Sequence, residues 1–270
     1  MAVFDLSKRR SRAVRPHPIF LAFVALTVIG GWISWATENK DSQGGDFGVF
    51  LFVVAAWVVT LCLHEFGHAY VAFRAGDRDV EAAGYLTLNP LKYSHPVLSF
   101  VIPLLFIVQG GIGLPGGAVY LHPHRFRSKA MQSLAAVAGP ASNAIIGIAI
   151  LALAKANADD LTHLRFWSAL AFLGFLQLTA AVLNLLPIPG LDGYAIIEPY
   201  QDANTRQIAD KVKPWGMIGV IVLLQVDSVR EKFFDLVNWI YDLFGPDVFG
   251  ARLWPLGHEL FRFWRQKNGI

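Results

Sequence analysis

The sequence predicts an all-α polytopic membrane protein with about five to six transmembrane helices, and three observations carry that prediction. Of the 270 residues, 54% are hydrophobic and only 16% are charged. The charges gather in short stretches between apolar runs of about 18 residues or more, the length a helix needs to cross hydrocarbon. The basic residues also sort to one side of the successive runs, as they do in membrane proteins. A soluble enzyme of this size would carry a charge every few residues throughout. The net charge of +3 is too small to point to nucleic acid, and topology accounts for the basic residues. A single cysteine, Cys62, excludes an internal disulfide and a cysteine-based zinc knuckle. It reads as a small buried apolar side chain.

The chain divides into a basic N-terminus (1–18), a membrane-embedded core (19–196) and a C-terminal region of one short span plus interfacial helices (197–270). Lys8, Arg9, Arg10, Arg12 and Arg15 face a single Asp5 ahead of the apolar run 19–36. No convincing small-x-small cleavage site ends that run, so a retained first helix with a cytoplasmic N-terminus is expected. The loop 37–46 is acidic overall and external. The second helix, 48–75, therefore runs inward and ends at Arg74, Asp77 and Arg78.

That second run holds His64-Glu65-Phe66-Gly67-His68, the pattern H-E-x-x-H. Residues i and i+4 share a helix face, so both imidazoles can reach one metal ion with Glu65 beside it as a proton acceptor. Residues 49–63 carry no charge, which places the motif inside a span. Ionisable groups at such depth are expensive, and a functional site is their default explanation.

Residues 76–94 are polar and cytoplasmic, with a strand-like stretch at 85–89. An apolar segment (95–108) and a glycine-rich one (110–117) follow, then a second short strand at 118–122. A basic patch comes next: His122, His124, Arg125, Arg127 and Lys129. A full crossing at 95–114 would put that patch outside, against the positive-inside rule. A re-entrant loop keeps it inside, and irregular backbone is tolerated where protein or a water-filled cavity covers it. The helix 131–156 then runs outward, and 165–186 returns and breaks at Pro187-Ile188-Pro189-Gly190-Leu191-Asp192-Gly193. With the re-entrant loop, Asp192 arrives at the level of His64 and His68. It can supply a third ligand beside an open position for water. Farther on, Glu231, Asp235, Asn238 and Asp242 form one polar stripe on an apolar helix, which suits a membrane interface. Trp254, Phe261, Phe263 and Trp264 among basic residues read as an interfacial anchor.

These motifs resemble the site-2 protease family of intramembrane zinc metalloproteases. The resemblance spans roughly residues 57–194 and rests on His64-Glu65-Phe66-Gly67-His68, Gly139-Pro140-Ala141-Ser142-Asn143 and the stretch 184–193. The segment 85–91 is similar to one in compact bacterial members. The resemblance implies one Zn2+ held by His64, His68 and Asp192, and Glu65 as the catalytic base. Asn143 and Asn184 would be substrate-binding or site-supporting groups. It further implies a re-entrant loop and short β-strands near the active site, the strands holding an unwound substrate. The activity implied is hydrolysis of peptide bonds in or near transmembrane segments of membrane proteins. The partners implied are such a substrate and the lipid bilayer, in a multi-pass cell-membrane protein whose active site lies toward the cytoplasm. No stretch is long and polar enough for a PDZ or CBS domain. A non-catalytic relative that binds membrane proteins and a metal-ion transporter are the competing readings.

Overall fold

The computed structural model describes residues 14–37, 43–93, 105, 107 and 121–264. Four helices among them are long and apolar enough to cross a membrane. They are α1 (Pro18–Ala36), α2 (Gln43–Ala75), α4 (Lys129–Ala156) and α5 (Leu164–Asn184). A fifth span is counted if the helices covering Ala203–Leu223 and Asp227–Phe244, bent by 93° at their junction, are taken as one. Between these lie the one-turn α3 (Asp79–Ala82) and α6 (Asp192–Ile197), then α7 (Ala203–Val212), α8 (Gly216–Leu223) and α9 (Asp227–Phe244). A two-residue hairpin, β1 (Asp247–Val248) and β2 (Ala251–Arg252), leads into α10 (Trp254–Phe261).

Local chemistry sets the helix starts. His17 Nδ1 accepts the Ile19 N–H, and Pro18 opens α1, where its missing donor costs nothing. Ser128 caps α4 by accepting the Met131 N–H at 3.3 Å. The centre of the bundle is α5. It is apolar on every face and buried almost throughout, as a helix without a polar side must be. α2, α4 and α10 pack around it. Near its middle Gln177 donates from Nε2 to Thr60 Oγ1 on α2 at 2.8 Å. α1 lies outside α2 and exposes Leu21, Val28, Ile29 and Trp32.

The two ends of the bundle are fastened differently. Where α2 finishes, the fully buried Asp77 accepts from the N–H groups of Asp79 (3.1 Å) and His122 (2.9 Å). Arg127 N–H donates to Ala75 O, and His17 N–H donates to Thr87 O. At the other end Asp46 pairs with Arg165, both buried, at 3.6 Å. There His163 stacks on Trp35 with ring centroids 3.6 Å apart. Asp160 accepts from Trp167 Nε1 at 3.0 Å and from His163, which holds its carboxyl below the ordinary aspartate range.

Residues 85–89 are not a strand: Tyr85–Thr87 is a 3-10 turn between Gly84 and Leu88, both in the left-handed region. The consecutive residues Tyr85 and Leu86 are both buried in this compact turn, where a strand would send them to opposite faces. The substrate edge expected there is therefore missing from that segment. The path of the proposed re-entrant loop and most of the strand at 118–122 lie outside the described residues, although Ile107 is buried in the main core. The tail is only partly an anchor. Phe261 is fully buried against Phe172 and Phe50, while Trp264 stays half exposed. The polar stripe on α9 is as expected: Glu231, Asp235 and Asp242 are exposed, opposite buried Phe233, Val237 and Tyr241.

Candidate metal centre

His64 and His68 come from one face of α2, one turn apart, because an intact helix carries them. Their Nε2 atoms lie 3.0 Å from each other. Asp192 comes from a different part of the chain. Past Asn184 the chain breaks at Pro187 and Pro189, turns at Gly190 (φ +100°) and restarts as α6 with Asp192 as its first residue. Its Oδ2 lies 3.4 Å from each imidazole Nε2. A tetrahedral ion with ligand bonds of about 2.0–2.1 Å keeps neighbouring donor atoms roughly 3.3–3.4 Å apart. The three donors fit such an ion.

Two further observations agree with that fit. His68 Nδ1 donates to the Ala135 carbonyl on α4 at 2.7 Å, which leaves the Nε2 lone pair for a metal. Glu65 is 2% exposed, and its Oε2 has no hydrogen-bond partner among the described residues. A bare buried carboxylate oxygen is costly, and a cation beside it is the simplest compensation. His64 Nδ1 is likewise buried with no partner among the described residues.

The floor of the site is backbone. Gly139 of α4 lies directly against the imidazoles. A Cβ there would sit 2.1 Å from His68 Nε2 and 2.6 Å from His64 Nε2. The next residue, Pro140, has no N–H, so the Ala136 carbonyl loses its usual donor in the helix. One turn along the same face, Asn143 is buried, with Oδ1 unpartnered among the described residues. Asn184 is the last residue of α5 and 3% exposed. Neither asparagine hydrogen-bonds the three donors. Cys62 is fully buried, as expected, and is not part of the donor cluster.

The Asp192 segment is braced from two sides. Ser133 Oγ on α4 donates to Ile196 O at 2.6 Å. Lys213 bridges Glu198 (2.6 Å) and Asp210 (2.8 Å), and its carbonyl backs onto Gly190. The open side of the cluster is at Asp192, whose side chain is 24% exposed against 6% and 8% for the histidines. Sequence reasoning quoted Gly139 without giving it a role; the available signal was a Gly-Pro pair inside an otherwise alanine-rich apolar helix. The Lys213 brace had no signal at all.

Comparison with known proteins places the chain in a family. The chain is 48% identical over 253 residues to a Mycolicibacterium smegmatis protein assigned the name zinc metalloprotease Rip2, covering 94% of this chain and 96% of that one. The protein of the same name from Mycobacterium tuberculosis is 46% identical over 252 residues, covering 93% and 95%. YwhC of Bacillus subtilis, also assigned as a zinc metalloprotease, is 31% identical over 194 residues, covering 69% of this chain and 86% of its own. No family model and no solved structure matches. With relatives of this identity and coverage, and four apolar spans around a two-histidine, one-carboxylate cluster, the chain belongs to the site-2 protease family of intramembrane zinc metalloproteases.

Proposed function

We propose that His64, His68 and Asp192 are the zinc ligands of this metalloprotease and that Glu65 is its general base. The observation that carries the reading is the meeting of three donor atoms within 3.0–3.4 Å from two separate helices, over a backbone floor that leaves no room for a side chain. When bound, the ion supplies Lewis acidity, making water a competent nucleophile near neutral pH and polarising the scissile carbonyl. The remaining chemistry belongs to the protein. Glu65 takes the proton of the attacking water on its unpartnered oxygen and returns it to the leaving amine. Asn143, buried one turn from Gly139, orients the substrate backbone, and Asn184 supports the end of α5 beside the Asp192 turn.

The substrate class we infer is a membrane protein with a transmembrane segment. His64 lies 11 residues before the end of α2, about 17 Å along the helix axis, within the depth of a hydrocarbon core. Water and an unwound substrate approach from the Asp192 side, where Leu185, Pro187 and Gly190 are exposed at the break in the chain. We assign the metal end of the bundle to the cytoplasmic side. Arg74, Arg78, Lys92, Arg125, Arg127 and Lys129 are exposed there, in keeping with the positive-inside rule.

The test is metal analysis of the purified protein, followed by co-reconstitution with single-span membrane proteins, with and without a zinc chelator. The expected result is one zinc per chain and cleavage that chelation abolishes and zinc restores. Cleavage indifferent to chelation would contradict the assignment.

A further inference from the structure

We propose that α7 is a membrane-surface helix, its Ile208–Val212–Trp215 face resting at the headgroup–acyl boundary of the leaflet at the metal end. Every residue of α7 except Ala209 is exposed. The exposed surface is nevertheless sorted into sectors. Ile208 (57%), Val212 (44%) and Trp215 (65%) follow one another at i, i+4 and i+7, so they form a single apolar line. Arg206, Gln207 and Asp210 occupy the opposite, polar sector. Ala209, Gly216 and Val220 make the third sector and are buried against the protein.

A helix divided this way, with a strong apolar face but low overall hydrophobicity, has the build of one lying in a bilayer surface. Three observations make lipid the occupant. The apolar line does not stop at Trp215; it continues along α8 as Ile218 (51%) and Val222 (61%), on a segment that is wholly apolar. Basic side chains are exposed at the metal end of the bundle, Arg125, Arg127 and Lys129 among them, and α7 itself carries exposed Arg206 and Lys211; such residues complement lipid phosphates. Trp215 and Tyr200 are both exposed, and Lys129 lies over the Tyr200 ring; aromatic and basic residues together mark membrane interfaces.

The position has a consequence for the metal centre. α7 ends at Val212, and the next residue, Lys213, holds Glu198 with its ammonium while its carbonyl backs onto Gly190. Gly216 in turn lies against Pro189 O. A helix fixed in the membrane surface thus steadies the turn that presents Asp192.

The inference goes beyond the protease reading, and its test uses no catalytic readout, so failure here leaves that reading untouched. Single cysteines are placed at Ile208, Val212, Ala203 and Gln207 in a Cys62→Ala background, and each is spin-labelled. The full chain is measured in nanodiscs of phosphatidylcholine and phosphatidylglycerol, with zinc content as the check on folding. The accessibilities to oxygen, which partitions into lipid, and to a water-soluble nickel chelate are then compared. Labels at 208 and 212 are expected to favour oxygen severalfold over the nickel reagent, and labels at 203 and 207 to do the reverse. Equal nickel accessibility at all four sites would overturn the proposal. Protection of 208 and 212 from both reagents would also overturn it, because it would mean that protein covers the face.

Discussion

Glu65→Gln is expected to lower peptide hydrolysis by roughly 10²–10⁴-fold, the usual contribution of a positioned acid–base group, while the zinc content stays at one per chain. The amide has nearly the shape of the carboxylate but cannot take the proton. Glu65 is almost completely buried, so the substitution also removes a charge from a low-dielectric site, and it should not destabilise the fold. Folding is followed by thermal unfolding in detergent and activity by cleavage of a reconstituted substrate. Wild-type turnover in the variant would remove Glu65 from the mechanism.

Gly139→Ala has the second large effect, through metal binding. The added methyl carbon would lie 2.1 Å from His68 Nε2 and 2.6 Å from His64 Nε2, far inside contact distance. Neither ring can yield freely, because His68 is fixed by its bond to Ala135 O and His64 is carried one turn away on the same helix. Either the donors splay or α4 moves off α2, and both outcomes spoil the ligand spacing. Perturbing the groups that orient metal ligands typically costs 10–100-fold in affinity, and at least that loss is expected here in a competition assay with a zinc indicator. Helix content should be unchanged. Wild-type zinc affinity in Gly139→Ala would show that the donor cluster does not hold the metal.

How much of this was legible in the sequence follows from the range of the forces involved. Apolar runs at 19–36, 131–156 and 165–186 were located to within two residues of α1, α4 and α5, because crossing hydrocarbon demands a long uninterrupted signal. The pairing of His64 with His68 is a local property of one helix and was equally readable. Asp192 required the parity of the spans, and the structure brings it to the histidines. Gly139 stood in a legible motif, but its role was opaque for the opposite reason. Its importance is a contact between α4 and two side chains some seventy residues earlier, and within its own helix it reads only as a small residue. The 85–89 turn misled because five residues carry too little signal to exclude a compact 3-10 turn. The three-sector surface of α7 was readable as spacing, but that its apolar line is unpacked emerges only from the fold.

The central claim is that one cation joins α2 to the start of α6. X-ray absorption at the zinc edge tests it most directly, comparing the wild-type chain with Asp192→Ala and His68→Ala. The wild type should show two imidazole nitrogens and one carboxylate oxygen at about 2.0–2.2 Å, with the oxygen lost in the first variant and one nitrogen in the second. Stoichiometric zinc whose spectrum is identical in all three proteins would mean that the metal is held elsewhere.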